Sequence, residues 1–211
     1  MGQIVDIGKR IELVPMDPHF HDITIALYQQ GQVESPQYLV HTYSQMEGAQ
    51  GRIQFAVNTM THMGNLVEDT NGLLQFPCEA AHQLACKRTF LESCKLSPND
   101  SAEPRPLQIL DKKSGLTITV DSLGEGIYQV KADGEGRRAD RRISTIAGGL
   151  MKLGEMEEVD GTLDTVAFPC GHSHDALVGL LLVRAPNVRA IVREQEMAAT
   201  RGVLAAPSQQ N

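Results

Sequence analysis

Two copies of one short pattern, Phe-Pro-Cys-x-x-x-His, contain the residues of this chain best suited to chemistry. The first copy places Cys78 and His82 four residues apart, and the second does the same with Cys170 and His174, 92 residues further along. A thiol and an imidazole at this spacing lie on one face of a helix. Such a pair forms an activated nucleophile if the thiol has a low pKa. It also forms half of a zinc site, which takes four Cys, His or carboxylate ligands.

The first interpretation is nucleophilic. The proline before each cysteine ends a strand and leaves the next residue free to begin a helix. A cysteine at a helix N-terminus has a lowered thiol pKa, because the unpaired N–H groups and the helix dipole stabilise the thiolate. Cys170 is then the nucleophile, His174 its base and His172 a second polar group. The second copy contains more potential bases and ligands than the first, so it is the preferred active copy. Cys78 and His82 form an equivalent or vestigial catalytic pair.

The second interpretation is a metal centre, in which one zinc ion joins the two copies. Its ligands are Cys78, His82, Cys170 and His174. A third interpretation assigns the repeated pattern to packing, in a non-catalytic oligomerisation or interaction domain. The remaining cysteines, Cys86 and Cys94, correspond to Val178 and Pro186 at the spacing of 92 residues. They are therefore assigned to packing positions.

A cluster of arginines near the start of a helix in the second half of the chain is a candidate anion site. Arg138, Arg141 and Arg142 place positive charge where the helix dipole disfavours it. A phosphate or carboxylate group of a small ligand would neutralise that charge. The alternative is a solvated face whose arginines pair with neighbouring glutamates.

The two patterns belong to a longer internal repeat. The apolar positions of residues 52–64 recur at 142–154 with the same helical spacing. Both segments end at a glycine, Gly64 or Gly154, which is typical of a left-handed helix cap. We therefore predict an α+β fold made by internal duplication of a βββαβα unit, with both copies in one pseudo-two-fold body.

Each half reads as three strands, a helix, a short strand and a closing helix. Alternating apolar residues predict strands near 9–14, 21–30, 37–44, 106–110, 116–122 and 126–132. Helices are predicted over 47–65 and 138–153, short strands over 73–76 and 165–168, and closing helices from near Cys78 and Cys170. The predicted organisation is a first repeat over 1–95, a Pro-rich linker over 96–106, a second repeat over 107–186, and a C-terminal helix and mobile tail over 187–211.

Composition limits the classes of partner. The 211 residues carry a net charge of −7 with an isoelectric point near 5.5, which disfavours binding to nucleic acid or an anionic membrane. Aromatic residues make up 4% and Trp is absent, so base-stacking surfaces are not expected. No leader or long apolar segment is apparent, so we expect a cytoplasmic protein with reduced thiols. The sequence thus predicts a small enzyme or a protein that binds an anionic small molecule and can form a homo-oligomer. The alternatives are a zinc-binding protein and a non-catalytic oligomerisation or interaction domain.

Overall fold

The computed structural model describes residues 8–13, 25–42, 44–94, 96 and 103–188. The first half contains β1 (Gly8–Leu13), β2 (Ile25–Gly31), β3 (Pro36–Thr42), α1 (Ala49–Gly64), β4 (Val67–Glu68), β5 (Leu74–Gln75) and α2 (Gln83–Ser93). The second half contains β6 (Gln108–Asp111), β7 (Leu116–Gly124), β8 (Ile127–Ala132), α3 (Arg137–Gly154), β9 (Glu157–Glu158), β10 (Thr165–Ala167) and α4 (Asp175–Leu182). A short 3-10 helix follows at Ala185–Asn187. The predicted α+β class is confirmed.

The strands form two antiparallel sheets with the same strand order. The first sheet runs β1-β2-β3-β5-β4 and the second runs β6-β7-β8-β10-β9. The registers also correspond, because Tyr38 lies opposite Leu74 in the first sheet and Tyr128 lies opposite Val166 in the second. The two sheets therefore place equivalent sequence positions at equivalent points.

The order of elements in each half is βββαββα rather than the predicted βββαβα. The additional strands, β4 and β9, contain two exposed residues each and are too short to show an alternating pattern. The closing helices α2 and α4 begin five residues after Cys78 and Cys170, so the prediction that they begin near the cysteines is wrong. Residues 189–211 of the predicted C-terminal helix and tail, residues 97–102 of the linker, and residues 14, 21–24 and 43 of the predicted strands lie outside the described residues.

Gly64 and Gly154 are not the left-handed caps predicted from the sequence. They remain helical, and the next residues, Asn65 (φ 60°) and Glu155 (φ 56°), adopt the left-handed conformation. The glycines are required instead for close helix packing. A Cβ atom on Gly64 would overlap the Thr89 side chain of α2, and one on Gly154 would lie 2.8 Å from Leu181 of α4.

The helices make the main contact between the two halves. α1 packs against β3 and α3 against β8, while α1 and α2 contact α4, and α2 also contacts α3. Most buried apolar residues of both halves belong to one continuous core. α4 is central to this core, with every residue from Leu177 to Leu182 buried. Its Gly179 leaves room for the Arg105 backbone, since a Cβ atom there would overlap the Arg105 carbonyl oxygen.

Two adjacent glycines of α3 give a matched test of this packing. A Cβ atom on Gly149 would lie 2.6 Å from the carbonyl oxygen of Ala185, whereas one on Gly148 would meet nothing within 4 Å. We expect Gly148→Ala to raise the free energy of unfolding by about 0.5–1 kcal/mol, because alanine favours the helix. Gly149→Ala should lower it by about 1–3 kcal/mol, because the added methyl group displaces packed backbone. Urea unfolding measures both, and a Gly149→Ala protein as stable as Gly148→Ala would contradict the packing described.

Within the described ranges, no helix is both long enough and apolar enough to span a membrane.

Candidate metal centre

Each Phe-Pro-Cys segment forms a tight turn after a short strand. The N–H of Glu79 donates to the carbonyl of Phe76 at 2.9 Å, and the N–H of Gly171 donates to the carbonyl of Phe168 at 3.0 Å. Proline suits the second position of such a turn because its ring fixes φ near the required value. Glu79 (φ 58°) and Gly171 (φ 69°) then adopt left-handed conformations. This geometry stops a helix from continuing out of the turn and explains why the closing helices begin later.

The histidines lie at the junction between these turns and the closing helices. His82 and His174 are the N-cap residues of α2 and α4, and neither side chain caps its helix by a hydrogen bond. The imidazoles lie near the cysteines instead. The Cys78 Sγ atom is 3.3 Å from Nε2 of His82, and the Cys170 Sγ atom is 3.4 Å from Nε2 of His174.

The packing of the two halves brings both pairs to one place. One ligand atom from each of the four side chains can be chosen so that all lie within 4.8 Å of one another. Both histidines are buried and both cysteines are half-buried. The ligand set contains Cys78, His82, Cys170 and His174.

The separations are compatible with a single tetrahedral ion. Zinc binds sulfur at about 2.3 Å and histidine nitrogen at about 2.0–2.1 Å, which sets sulfur–nitrogen separations of roughly 3.5 Å and a sulfur–sulfur separation of roughly 3.8 Å. The two sulfur–nitrogen distances within the copies, 3.3 and 3.4 Å, are close to this value. The Cys₂His₂ cluster could therefore hold a metal such as zinc.

The phenylalanines of the repeated pattern form an apolar wall around the imidazoles. The Phe76 ring packs edge-to-face against His82 and His174, with centroid separations of 4.9 and 5.8 Å. The Phe168 ring packs in the same way against His82 and His174, at 5.3 and 4.9 Å. Each imidazole thus contacts one phenylalanine from each half, which fixes its ring plane and excludes water from the buried side.

Burial keeps the imidazoles neutral. It is the main cause that lowers the pKa of His174 to about 4, and the nearby imidazoles of His82 and His172 contribute further. Burial also lowers the pKa of His82. Because a histidine must be neutral to coordinate a metal, both side chains can offer a lone pair at neutral pH.

The Cys78 thiol does not have the lowered pKa expected of an activated nucleophile. Burial raises the pKa of Cys78 to about 11, with the Cys170 thiol adding to the shift and the N–H of Ala80 opposing it. α2 and α4 begin five residues after Cys78 and Cys170, so neither cysteine lies in the first turn of its closing helix. A bound cation would reverse this preference, because metal coordination stabilises the thiolate.

His172 belongs to the exposed side of the second turn. Its N–H donates to the Cys170 Sγ atom at 3.4 Å, and its Nδ1 atom lies 2.8 Å from the Cys170 carbonyl oxygen. Its side chain is therefore bound to the backbone of the turn rather than included in the four-residue cluster.

Tyr128 holds the backbone at His174 in place. Its hydroxyl accepts a hydrogen bond from the His174 N–H at 2.6 Å and donates one to Asp175 at 2.8 Å.

Two residues near the cluster were not identified from the sequence. Asn65 follows α1, and its side-chain amide lies 3.0 Å from Nδ1 of His174 in the other half. Glu155 follows α3, and its carboxylate accepts a hydrogen bond at 3.0 Å from the N–H of Leu84 in the first turn of α2. Each half therefore contacts the Cys-His segment of the other. The signal was available, because Asn65 and Glu155 are 90 residues apart and share the spacing of the repeated helices.

The Asn65 contact bears on which nitrogen of His174 faces the cysteine. If Nε2 coordinates a metal, the proton must be on Nδ1, and the Nδ1–H must then donate to an acceptor. A flip of the Asn65 amide places its side-chain oxygen next to Nδ1, where it can accept this proton.

We expect Asn65→Gly to weaken zinc binding by about 10–100-fold, as is typical when a partner of a metal-bound histidine is lost. Glycine removes the amide and keeps the left-handed backbone free of strain. Asn65→Asp should retain near-normal affinity because a carboxylate also accepts from Nδ1–H. Competition with a chromogenic chelator measures the affinity, with Asn58→Ala on the exposed face of α1 as the control. Equal affinities for Asn65→Gly and the control would contradict this role.

Of the arginines predicted to bind an anion, Arg142 is paired with Asp111. Arg142 donates through Nε and Nη2 to the two carboxylate oxygens of Asp111 at 2.7 and 2.8 Å. Burial alone would raise the pKa of Asp111, but hydrogen bonds from Ser114 and Arg142 outweigh it and lower the pKa. The carboxylate partner of Arg142 therefore comes from the end of β6 rather than from the neighbouring glutamates.

Arg141 and Arg142 line a cavity of about 300 Å³ together with Lys113 and Thr145. Arg138 is exposed and does not line this cavity. Of the three arginines predicted to bind a ligand, Arg142 lines the cavity while paired with Asp111, Arg141 lines the same cavity, and Arg138 lies outside it.

Cys86 and Cys94 are both buried in the core, and neither belongs to the cluster. Their positions agree with the packing role expected from the sequence.

Comparisons with protein-family models, with curated proteins and with solved structures find no match to this chain.

Proposed function

We propose that this chain is a zinc-binding protein in which one ion joins its two halves. The main support for the proposal is that four side chains able to bind a metal, two from each half, place their ligand atoms within 4.8 Å of one another. The proposed ligands are Cys78, His82, Cys170 and His174.

The chemistry of the ligands favours zinc. Two thiolates and two imidazoles form a tetrahedral S₂N₂ set, which is typical of zinc, whereas calcium and magnesium require oxygen ligands. The small separations favour a single ion over a cluster of several metal atoms. Because neutral imidazoles and a buried surrounding are already in place, metal binding requires only that the two thiols lose their protons.

The proposed ion is structural rather than catalytic. Structural zinc sites have four protein ligands, whereas catalytic sites keep one position open for water or substrate. Here four protein ligands are available, and the phenylalanine wall covers the imidazoles. The activated-nucleophile interpretation of Cys170 and His174 is less well supported, because Cys170 does not lie in the first turn of the helix that was expected to stabilise its thiolate.

We also propose that the two halves arose by duplication and are related by a pseudo-two-fold axis through the metal centre. Support comes from the equal strand order of the sheets and from the contribution of one cysteine and one histidine by each half. The reciprocal contacts of Asn65 and Glu155 add to it. In this proposal residues 1–95 and 107–186 are the repeats, and a single repeat has only half of the ligand set.

Elemental analysis of the purified protein tests the zinc proposal. We expect one zinc per chain after reconstitution under reducing conditions. Loss of zinc is expected in a Cys78→Ala/Cys170→Ala variant. Cys94→Ala should keep its zinc because Cys94 is buried away from the cluster. The proposal fails if the reduced protein binds no zinc, or if the double variant binds as much as Cys94→Ala.

A second candidate function is binding of a small anion in the cavity beside Asp111. The positive side chains of Lys113 and Arg141 line this cavity, and Arg142 is held there by Asp111. Isothermal titration calorimetry with inorganic phosphate tests this candidate. Arg141→Gln should weaken binding, and Arg138→Gln is the matched control because Arg138 lies outside the cavity. Absence of phosphate binding, or equal effects of the two substitutions, would contradict it.

A further inference from the structure

The two sulfur atoms of the metal centre come from different halves and lie close together. Their separation is at most 4.8 Å, whereas a disulfide bond requires about 2.05 Å. Both cysteines lie in the Phe-Pro-Cys turns, before the helices begin. Bringing the sulfur atoms together therefore requires an adjustment of turns rather than a displacement of packed helices.

Access to the centre is from the cysteine side. Cys78 and Cys170 are half-buried, while His82 and His174 are buried behind the phenylalanine rings. Beside Cys170, the position of a Cβ atom on Gly171 has no neighbour within 4 Å, so the approach to that turn is open. A small polar oxidant would thus meet the sulfur ligands before the nitrogen ligands.

The other two thiols provide an internal contrast. Cys86 has no exposed surface and Cys94 is 6% exposed. Neither belongs to the four-residue cluster. Because thiol oxidation follows exposure and thiolate character, the metal-bound cysteines are the ones expected to react.

We infer that the metal centre is redox-sensitive: a hydroperoxide oxidises Cys78 and Cys170 to a disulfide and releases the zinc ion. This inference rests on the proposed zinc site and assigns it a mode of regulation. The oxidant is a small peroxide, for which hydrogen peroxide is the probe.

Oxidation of the two cysteines takes place in two steps. The Cys170 thiolate attacks one peroxide oxygen, which breaks the O–O bond, forms a sulfenic acid and releases hydroxide. The Cys78 thiolate then attacks that sulfur, which forms the S–S bond and releases a second hydroxide. Two electrons pass from the sulfur atoms to the peroxide. The zinc ion loses both thiolate ligands, keeps only His82 and His174, and dissociates.

Oxidation and simple removal of zinc are expected to leave different links between the two turns. The ion joins the halves in the reduced state, and the disulfide joins the same two turns in the oxidised state. Oxidised protein is therefore expected to remain folded after losing its zinc, whereas chelation under reducing conditions removes the metal link without replacing it.

Hydrogen peroxide titration of the zinc-loaded full chain, with a chromogenic zinc indicator present, tests the inference. One zinc should be released per peroxide consumed, with loss of two of the four thiols. Peptide mapping should show a disulfide between Cys78 and Cys170, and reduction followed by added zinc should restore the centre. Cys86→Ala and Cys94→Ala proteins should release zinc in the same way.

The inference is overturned if zinc stays bound while peroxide is consumed. It is also overturned if zinc is released with a disulfide to Cys86 or Cys94, or with sulfinic acids and no disulfide. These outcomes require protein that has first been loaded with zinc. They are therefore distinguishable from failure of the zinc proposal, in which the reduced protein binds no zinc at all.

Discussion

Removing zinc from the reduced protein is expected to lower its free energy of unfolding by about 4 kcal/mol or more, when compared with protein in free zinc at a thousand times the dissociation constant. The physical reason is linkage, because an ion that binds only the folded chain stabilises that state. The ligands come from both halves, so the unfolded chain has no preformed site. Urea unfolding with excess zinc and with a strong chelator, both under a thiol reductant, measures the difference.

Histidine variants provide the control for this prediction. His174→Ala should lose the stabilisation by zinc, because it removes a ligand. His62→Ala should keep it in full, because His62 is exposed on α1 and its side chain hydrogen-bonds to Asn58 and Thr61 of the same helix. A chelator that leaves the unfolding curve of the native sequence unchanged would contradict a structural role for the ion.

The second large effect is on the pH dependence of the chelator-treated protein. The pKa of His174 in the folded chain is about 4, below its ordinary value of 6.5, chiefly because the side chain is buried. The unfolded chain therefore binds this proton more readily than the folded chain between these values. The free energy of unfolding should be greatest above pH 6.5 and fall on acidification, by about 1.4 kcal/mol per pH unit below it. The total loss from His174 approaches about 3 kcal/mol near pH 4.

Unfolding measured between pH 7 and pH 5 tests the sign, since most carboxylates do not titrate in that interval. His174→Gln should flatten the slope because glutamine does not titrate, and a smaller slope should remain from His82, whose pKa is also lowered by burial. His62→Gln should leave the slope unchanged. Stability that rises on acidification from pH 7 would contradict the buried, neutral state of His174.

The repeated pattern contains much of the information for the site. Its phenylalanine supplies the apolar wall, its proline the turn, its cysteine a sulfur ligand, and its histidine a nitrogen ligand at the start of a helix. Two copies of a half-site indicate a four-ligand centre if the copies meet. Whether they meet depends on how α1, α2, α3 and α4 pack across the halves, and no local pattern encodes that geometry. The sequence therefore left the nucleophilic and metal interpretations open.

The strands and long helices were predicted close to their observed bounds because their apolar spacing is regular. The closing helices were predicted to begin too early. The left-handed residues Glu79 and Gly171 prevent a helix from starting at the cysteines, and the pattern of apolar residues does not reveal this. Gly64 and Gly154 resembled caps but serve close packing, and the left-handed residues follow them. This one-residue difference also concealed Asn65 and Glu155, whose side chains contact the opposite half.

X-ray absorption at the zinc edge reports the ligands of the ion directly. We expect a single tetrahedral ion with two sulfur ligands at about 2.3 Å and two nitrogen ligands at about 2.0–2.1 Å. Cys78→Ala should remove one sulfur from this shell, or the ion altogether, while Cys94→Ala should leave it intact. A shell of oxygen and nitrogen ligands without sulfur, or a spectrum unchanged by Cys78→Ala, would contradict a zinc ion shared by the two halves.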